Sequence, residues 1–78
     1  LSPSITVYSR PRCQPCAAVY RWLDKHGFKG AYTVVDTSLD EPLAQSLRDE
    51  GWTQSPVVDI DGHRFSGFDV NELAKLKQ

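Results

Sequence analysis

The spacing of apolar positions changes several times along this chain, and each change marks an element. Ile5-Thr6-Val7-Tyr8 is a short β-branched and aromatic run and predicts a buried strand. Ser9-Arg10-Pro11-Arg12 turns the chain. From Cys13 the period becomes helical: Cys16, Val19, Tyr20 and Leu23 fall at i, i+3, i+4 and i+7, with Trp22 flanking that face. Lys25 and His26 suit a last turn and Gly27 the residue beyond it. Ala31-Tyr32-Thr33-Val34-Val35-Asp36 predicts a second strand. Ser38 with Glu41, or Asp40 alone, then offers an N-cap. Pro42 fits the first turn, Leu39, Leu43 and Leu47 recur at i, i+4 and i+8, and Gly51 ends the segment. Val57-Val58-Asp59-Ile60 is a third strand, Asp61-Gly62 a two-residue hairpin signal, and His63-Arg64-Phe65 a fourth strand. Asp69 and Glu72 look like a capping pair opening a helix through Leu73 and Leu76.

The predicted order is βαβαββα. Two strands joined by a helix should be parallel through a right-handed crossover, and the hairpin adds antiparallel partners. The expectation is an α/β fold, a four-stranded mixed sheet flanked by three helices, as a single domain over residues 1–78. That length is near the lower limit for a core that folds unaided. Repeats and low-complexity linkers are missing from the chain.

Charge and composition narrow the function. The net charge is −1 with acids and bases interspersed, which argues against nucleic-acid binding, where a basic face is needed. No apolar run approaches the ~20 residues of a membrane span, and no charged-then-apolar signal segment opens the chain. A cytoplasmic monomer without membrane contact is the expectation. Cys13 and Cys16 are the two cysteines. A pair so close in sequence closes a tiny loop and hardly constrains the unfolded chain, so a structural staple explains it poorly.

As chemistry the pair makes sense. Spacing of i, i+3 on a helix sets the two Cβ atoms about 5–6 Å apart, within modest adjustment of a disulfide. Cys13 falls at a strand-to-helix junction, where free N–H groups and the helix dipole favour a thiolate, and Arg10 and Arg12 add positive potential. Its pKa should lie below the ~8.5 of free cysteine. Cys16 shares the apolar face with Val19 and Leu23, and burial should keep it a thiol. Cys13 would attack a substrate disulfide, and Cys16 would resolve the mixed disulfide. Zinc wants four ligands, and only His26 and His63 remain, without knuckle spacing, so no metal is expected. Two inert core cysteines are the plainer alternative, but the strand–turn–CxxC–helix setting is the redox one. His26, His63, Trp22 and Trp52 read as surface or structural residues without a role.

The segment Val7-Tyr8-Ser9-Arg10-Pro11-Arg12-Cys13-Gln14-Pro15-Cys16 resembles the opening of glutaredoxin-like redoxins, and most of all their NrdH-type branch. Three further segments resemble it in order: residues 35–40, Gly51-Trp52-Thr53-Gln54-Ser55-Pro56-Val57-Val58, and Phe65-Ser66-Gly67-Phe68. The resemblance spans nearly the whole chain. It implies a thioredoxin fold, a redox-active Cys13–Cys16 disulfide with no bound cofactor, and a cis Ser55–Pro56 bond facing the pair. An extended substrate would then pair with the backbone beside Pro56. It also implies electron donation to class Ib ribonucleotide reductase and recharging by thioredoxin reductase, with NADPH acting indirectly. Substrate or partner contacts would come from Arg10, Arg12, Gln14 and Pro15, from Ser55, Pro56 and Val57, and from Ser66, Gly67, Phe68 and Asp69. From the residues themselves, Ser66 and Gly67 would offer backbone N–H groups to a carboxylate, the alternative being that Gly67 is only a turn residue.

The reductant is contested by two residues. Asp69 stands where the branch usually has Arg and where glutaredoxins carry an acid for the glutathione amine. Arg10 stands where glutaredoxins carry a base for a glutathione carboxylate. A glutathione-dependent glutaredoxin is therefore the alternative. A redox-sensing or binding module of the same fold is a second, by analogy with regulatory and arsenate-reductase-like relatives.

Overall fold

The computed structural model describes residues 3–77. Its sheet has four strands, lying in the order second, first, third, fourth of the chain. The strand β1 (Ile5–Ser9) pairs parallel with β2 (Tyr32–Asp36) and antiparallel with β3 (Val57–Ile60). That strand pairs antiparallel with β4 (His63–Ser66). The β1-to-β2 connection runs through α1 (Gln14–Lys25), the β2-to-β3 connection through α2 (Glu41–Asp49), and α3 (Val70–Ala74) follows the hairpin. This is the mixed thioredoxin-like arrangement expected from the element order and the resemblance.

Alternation along β1 decides how the layers pack. Ile5, Val7 and Ser9 are buried, and Thr6 and Tyr8 are half-buried. The first face carries the core: Ile5, Val7, Val58 and Phe65 from the sheet meet Val19 and Leu23 of α1 and Leu73 of α3. Each such side chain contributes about 1.5–3 kcal/mol by leaving water. On the opposite face Tyr8 and Val57, paired across the strands, line a cleft with Ala44 and Leu47 of α2. Leu47 is the buried residue of that helix.

Local chemistry fixes the ends. The left-handed Gly27 lets Phe28 N–H reach the Leu23 carbonyl, and Gly51 does the same for Trp52 N–H and Leu47. Asp61 and Gly62 both have positive φ, as a two-residue hairpin turn requires. Tyr32 ties β2 to α1 by donating its hydroxyl to Asp24 at 2.9 Å. Burial, then that hydrogen bond, push its pKa up to about 12.

Two expectations need correction. Leu39 is not part of the second helix. It ends a 3₁₀ turn over Thr37–Leu39, because the Asp36 carboxylate accepts from Ser38 N–H and caps that turn first. The helix then starts from Asp40, whose Oδ1 accepts Leu43 N–H at 3.1 Å. Leu39 is left 84% exposed. Asp69 does cap the last helix by accepting Glu72 N–H at 3.2 Å. Glu72, however, turns its carboxylate to His63 and Lys75 instead of back to the cap.

Hydrogen bonds from Lys75 and then His63 hold the Glu72 carboxyl below its ordinary range. A carboxylate with a depressed folded pKa stabilises fully above its unfolded value, about 4.5, and loses that contribution as pH falls through the folded one. In urea unfolding, wild type should exceed Glu72→Gln in stability near neutral pH, with the gap closing as pH falls below about 4.5 and through the lowered folded pKa. A gap that widened on acidification would contradict this.

Candidate active site

The sulfur pair lies where β1 leaves the sheet. Cys13 has extended backbone angles (φ −109°, ψ 106°) and is the N-cap of α1. Its Sγ accepts the Cys16 N–H at 3.2 Å, and its carbonyl accepts the Ala17 N–H at 3.2 Å. The cap position thus directs a helix N–H at the sulfur expected to attack, which favours its anionic form. Cys16, one turn on, is 2% exposed among core side chains, whereas Cys13 is half-buried. The two are disulfide-bonded with Cα atoms 5.2 Å apart. Closing and opening such a pair needs little backbone motion.

Pairing of Tyr8 with Val57 sets the start of β3 beside the end of β1, so Pro56 falls at the same end of the sheet as the cysteines. The Ser55–Pro56 bond is cis, as the resemblance implied. Val57 is buried and Ser55 half-buried, and both line the cleft. Ser66 pairs with Val57 across the hairpin. Gly67, at φ 78°, donates its N–H to the Pro56 carbonyl at 2.9 Å. That N–H is therefore spent on holding two loops together and is not free for a carboxylate. Asp69 likewise uses one oxygen on its helix. Of Phe65 and Phe68, on either side of this turn, the first is core and the second is 43% exposed. Arg10, Arg12, Gln14 and Pro15 are exposed around Cys13, with Arg12 left-handed at φ 58°.

Arg10 and Ser55 border a cleft of about 190 Å³ that also involves Tyr8, Thr37 and Trp52. Thr37 donates its hydroxyl to the Ser9 carbonyl at 3.1 Å, binding the turn after β2 to the strand that leads to Cys13. Arg64 braces the far wall. Its guanidinium donates to Asp59 at 2.8 Å and Glu50 at 2.7 Å and lies 5.5 Å from the Tyr8 ring centre. Glu50 also accepts Trp52 Nε1–H at 3.2 Å. This brace was missed in the sequence. The signal was present, because an Asp61-Gly62 turn sets Asp59 opposite Arg64. Thr37 and Trp52 had no comparable signal.

A resolved pair of inequivalent cysteines at a helix N-terminus of a thioredoxin-like sheet defines a thiol–disulfide oxidoreductase. Among the described residues no side-chain cluster has metal-site composition, and no helix is long and apolar enough to cross a membrane. The glutaredoxin family model matches residues 5–65, and the chain belongs to that family, within its NrdH-redoxin branch. The glutaredoxin-like protein NrdH of Lactococcus lactis subsp. cremoris is 33% identical over 92% of this chain and 97% of its own. That of Salmonella typhimurium is 34% identical over 94% and 88%. The solved NrdH-redoxin of Escherichia coli, described as having a thioredoxin-like activity profile, superposes with a TM-score of 0.86 at 30% identity. The match covers 94% of this chain and 93% of that one.

Proposed function

We propose that this chain carries two electrons to class Ib ribonucleotide reductase and is recharged by thioredoxin reductase, with NADPH as the distant source. It would do so as a cytoplasmic monomer. The observation that carries the dithiol reading is the burial of Cys16 one turn behind an N-capping Cys13.

In the reduced protein, the Cys13 thiolate attacks one sulfur of the substrate disulfide. The substrate S–S bond breaks, and the departing sulfur takes up a proton. Cys16 then loses its proton and attacks Cys13 Sγ. The mixed disulfide breaks, the second substrate thiol leaves, and Cys13–Cys16 closes. Two electrons have moved to the substrate, and a dithiol reductase reverses the last step. Arg10 and Arg12 would add positive potential at the attacking sulfur. Gln14 and Pro15 on one side, Ser55, Pro56 and Val57 on another, and Ser66, Gly67, Phe68 and Asp69 on a third would contact the substrate. The backbone of residues 53–55 has no backbone partner among the described residues, which suits pairing with an extended segment.

Support for thioredoxin reductase comes from the thioredoxin-like profile of the Escherichia coli relative. A second reading, recharging by glutathione, is favoured by Arg10 at the border of the cleft with Thr37 and Gln54. The test is oxidation of NADPH with the oxidised protein and thioredoxin reductase, set against glutathione and glutathione reductase. The first reading expects rapid consumption in the former mixture and background in the latter. The reverse pattern would establish the second.

A further inference from the structure

A groove follows the outer side of α1 away from the sulfurs. Gln14, Ala18, Arg21, Trp22 and Lys25 fall at i, i+4, i+7, i+8 and i+11, a single stripe that begins at the residue after Cys13. Ala18, Arg21, Trp22, Lys25 and His26 form one wall and Phe68 the other, around about 290 Å³. Both walls are held. The hydrogen bond from Gly67 to Pro56 anchors the Phe68 loop to the site. The Trp22 ring stacks on His26 at 4.0 Å and on Phe28 at 6.5 Å, and His26 Nδ1 bonds the Trp22 carbonyl at 2.8 Å. An exposed phenylalanine facing a fixed tryptophan is a surface suited to being covered.

Charge says by what. Arg48, His63, Arg64 and Lys75 each meet a carboxylate, all on α2, β4 or the end of α3. Arg10, Arg12, Arg21 and Lys25, on α1 and its lead-in, meet none among the described residues, and outside that stretch only Lys29 and Lys77 share this. The one acid of α1, Asp24, points to Tyr32 on β2. Asp69, beside Phe68, gives an oxygen to Glu72 N–H.

We infer that this groove docks an acidic segment of the partner protein. An aromatic or branched apolar side chain of that segment lies between Trp22 and Phe68, and its carboxylates meet Arg21 and Lys25. The inference rests on the oxidoreductase reading, since the segment leads a disulfide onto Cys13. Its contribution is to encounter and orientation, outside the sulfur chemistry.

The test uses the reduced full chain and three peptides with the same disulfide and one leucine, flanked by acidic, neutral or basic residues. Bis(2-hydroxyethyl) disulfide serves as a small neutral probe. Wild type should show kcat/KM about tenfold higher for the acidic than the basic peptide, the size two exposed ion pairs supply, carried in KM. High salt should narrow the gap. Arg21→Glu with Lys25→Glu should invert the preference while reducing the small probe at the wild-type rate. Phe68→Ala should raise KM for the acidic peptide but not for a fourth, acidic peptide with alanine in place of the leucine. Equal rates for acidic and basic peptides, or a preference that survives in the double variant, would overturn the inference. A wild type that reduces the small probe but shows no charge preference loses the groove alone. One that reduces no disulfide loses the oxidoreductase reading as well.

Discussion

Cys16→Ser should halt the protein on its substrate: a protein disulfide is attacked once, a covalent adduct accumulates, and turnover falls to the uncatalysed background. The geometry gives the reason. Resolution is an intramolecular step between sulfurs whose Cα atoms are 5.2 Å apart. Well-oriented intramolecular reactions reach effective molarities of about 10⁵–10⁸ M, which no millimolar external thiol replaces. Intact-mass spectrometry should show one substrate chain per variant molecule, released by excess dithiothreitol. Cys13→Ser should give neither adduct nor turnover, because the buried Cys16 cannot meet a protein substrate. Equal adduct formation by both variants would mean that the sulfurs are equivalent and that burial does not assign their roles.

Leu73→Ala should cost about 2–5 kcal/mol in urea unfolding, the largest loss expected from one side chain of α3. Stability of roughly 0.05–0.15 kcal/mol per residue leaves a chain of this size little to spare. Leu73 is fully buried, and α3, at five residues, is far too short to persist without packing. Val70→Ala, half-exposed at the start of the same helix, should change stability by less than about 0.5 kcal/mol. Comparable losses for the two would show that helix propensity, not the Leu73 contact, holds α3 in place.

Where one residue type dominates locally, the sequence was readable. The strands followed from short β-branched runs, the Asp61-Gly62 turn from its left-handed requirement, and the first helix from the 3.6-residue period through Cys16, Val19 and Leu23. The inequality of the cysteines was visible for the same reason, since a strand-to-helix junction and an apolar stripe are both local patterns. Competition between neighbours was not readable. Leu39 fits a helical period with Leu43 and Leu47, yet Asp36 and Asp40 cap two successive turns, and the first of them turns Leu39 out to water. Glu72 fits a capping pair with Asp69, yet His63 arrives from β4 and Lys75 from the next turn. Gly67 reads as a donor for a ligand, yet the hairpin brings the Pro56 carbonyl within reach of its N–H. The cis Ser55–Pro56 bond was expected from the resemblance alone, because local preference favours trans.

The sheet's two faces are furnished unequally, and this separates two properties of the molecule. Cys16, α1 and α3 belong to the dry face with Val7, Val58 and Leu73. The cleft wall on the other face is α2, which is attached through Leu47, the Thr37 turn and the Arg64–Glu50 bridge. Changes in α2 therefore need not disturb the helix terminus that tunes the sulfurs. A lineage could lengthen, tilt or recharge that one short helix and so acquire new clientele, while inheriting its electron chemistry intact.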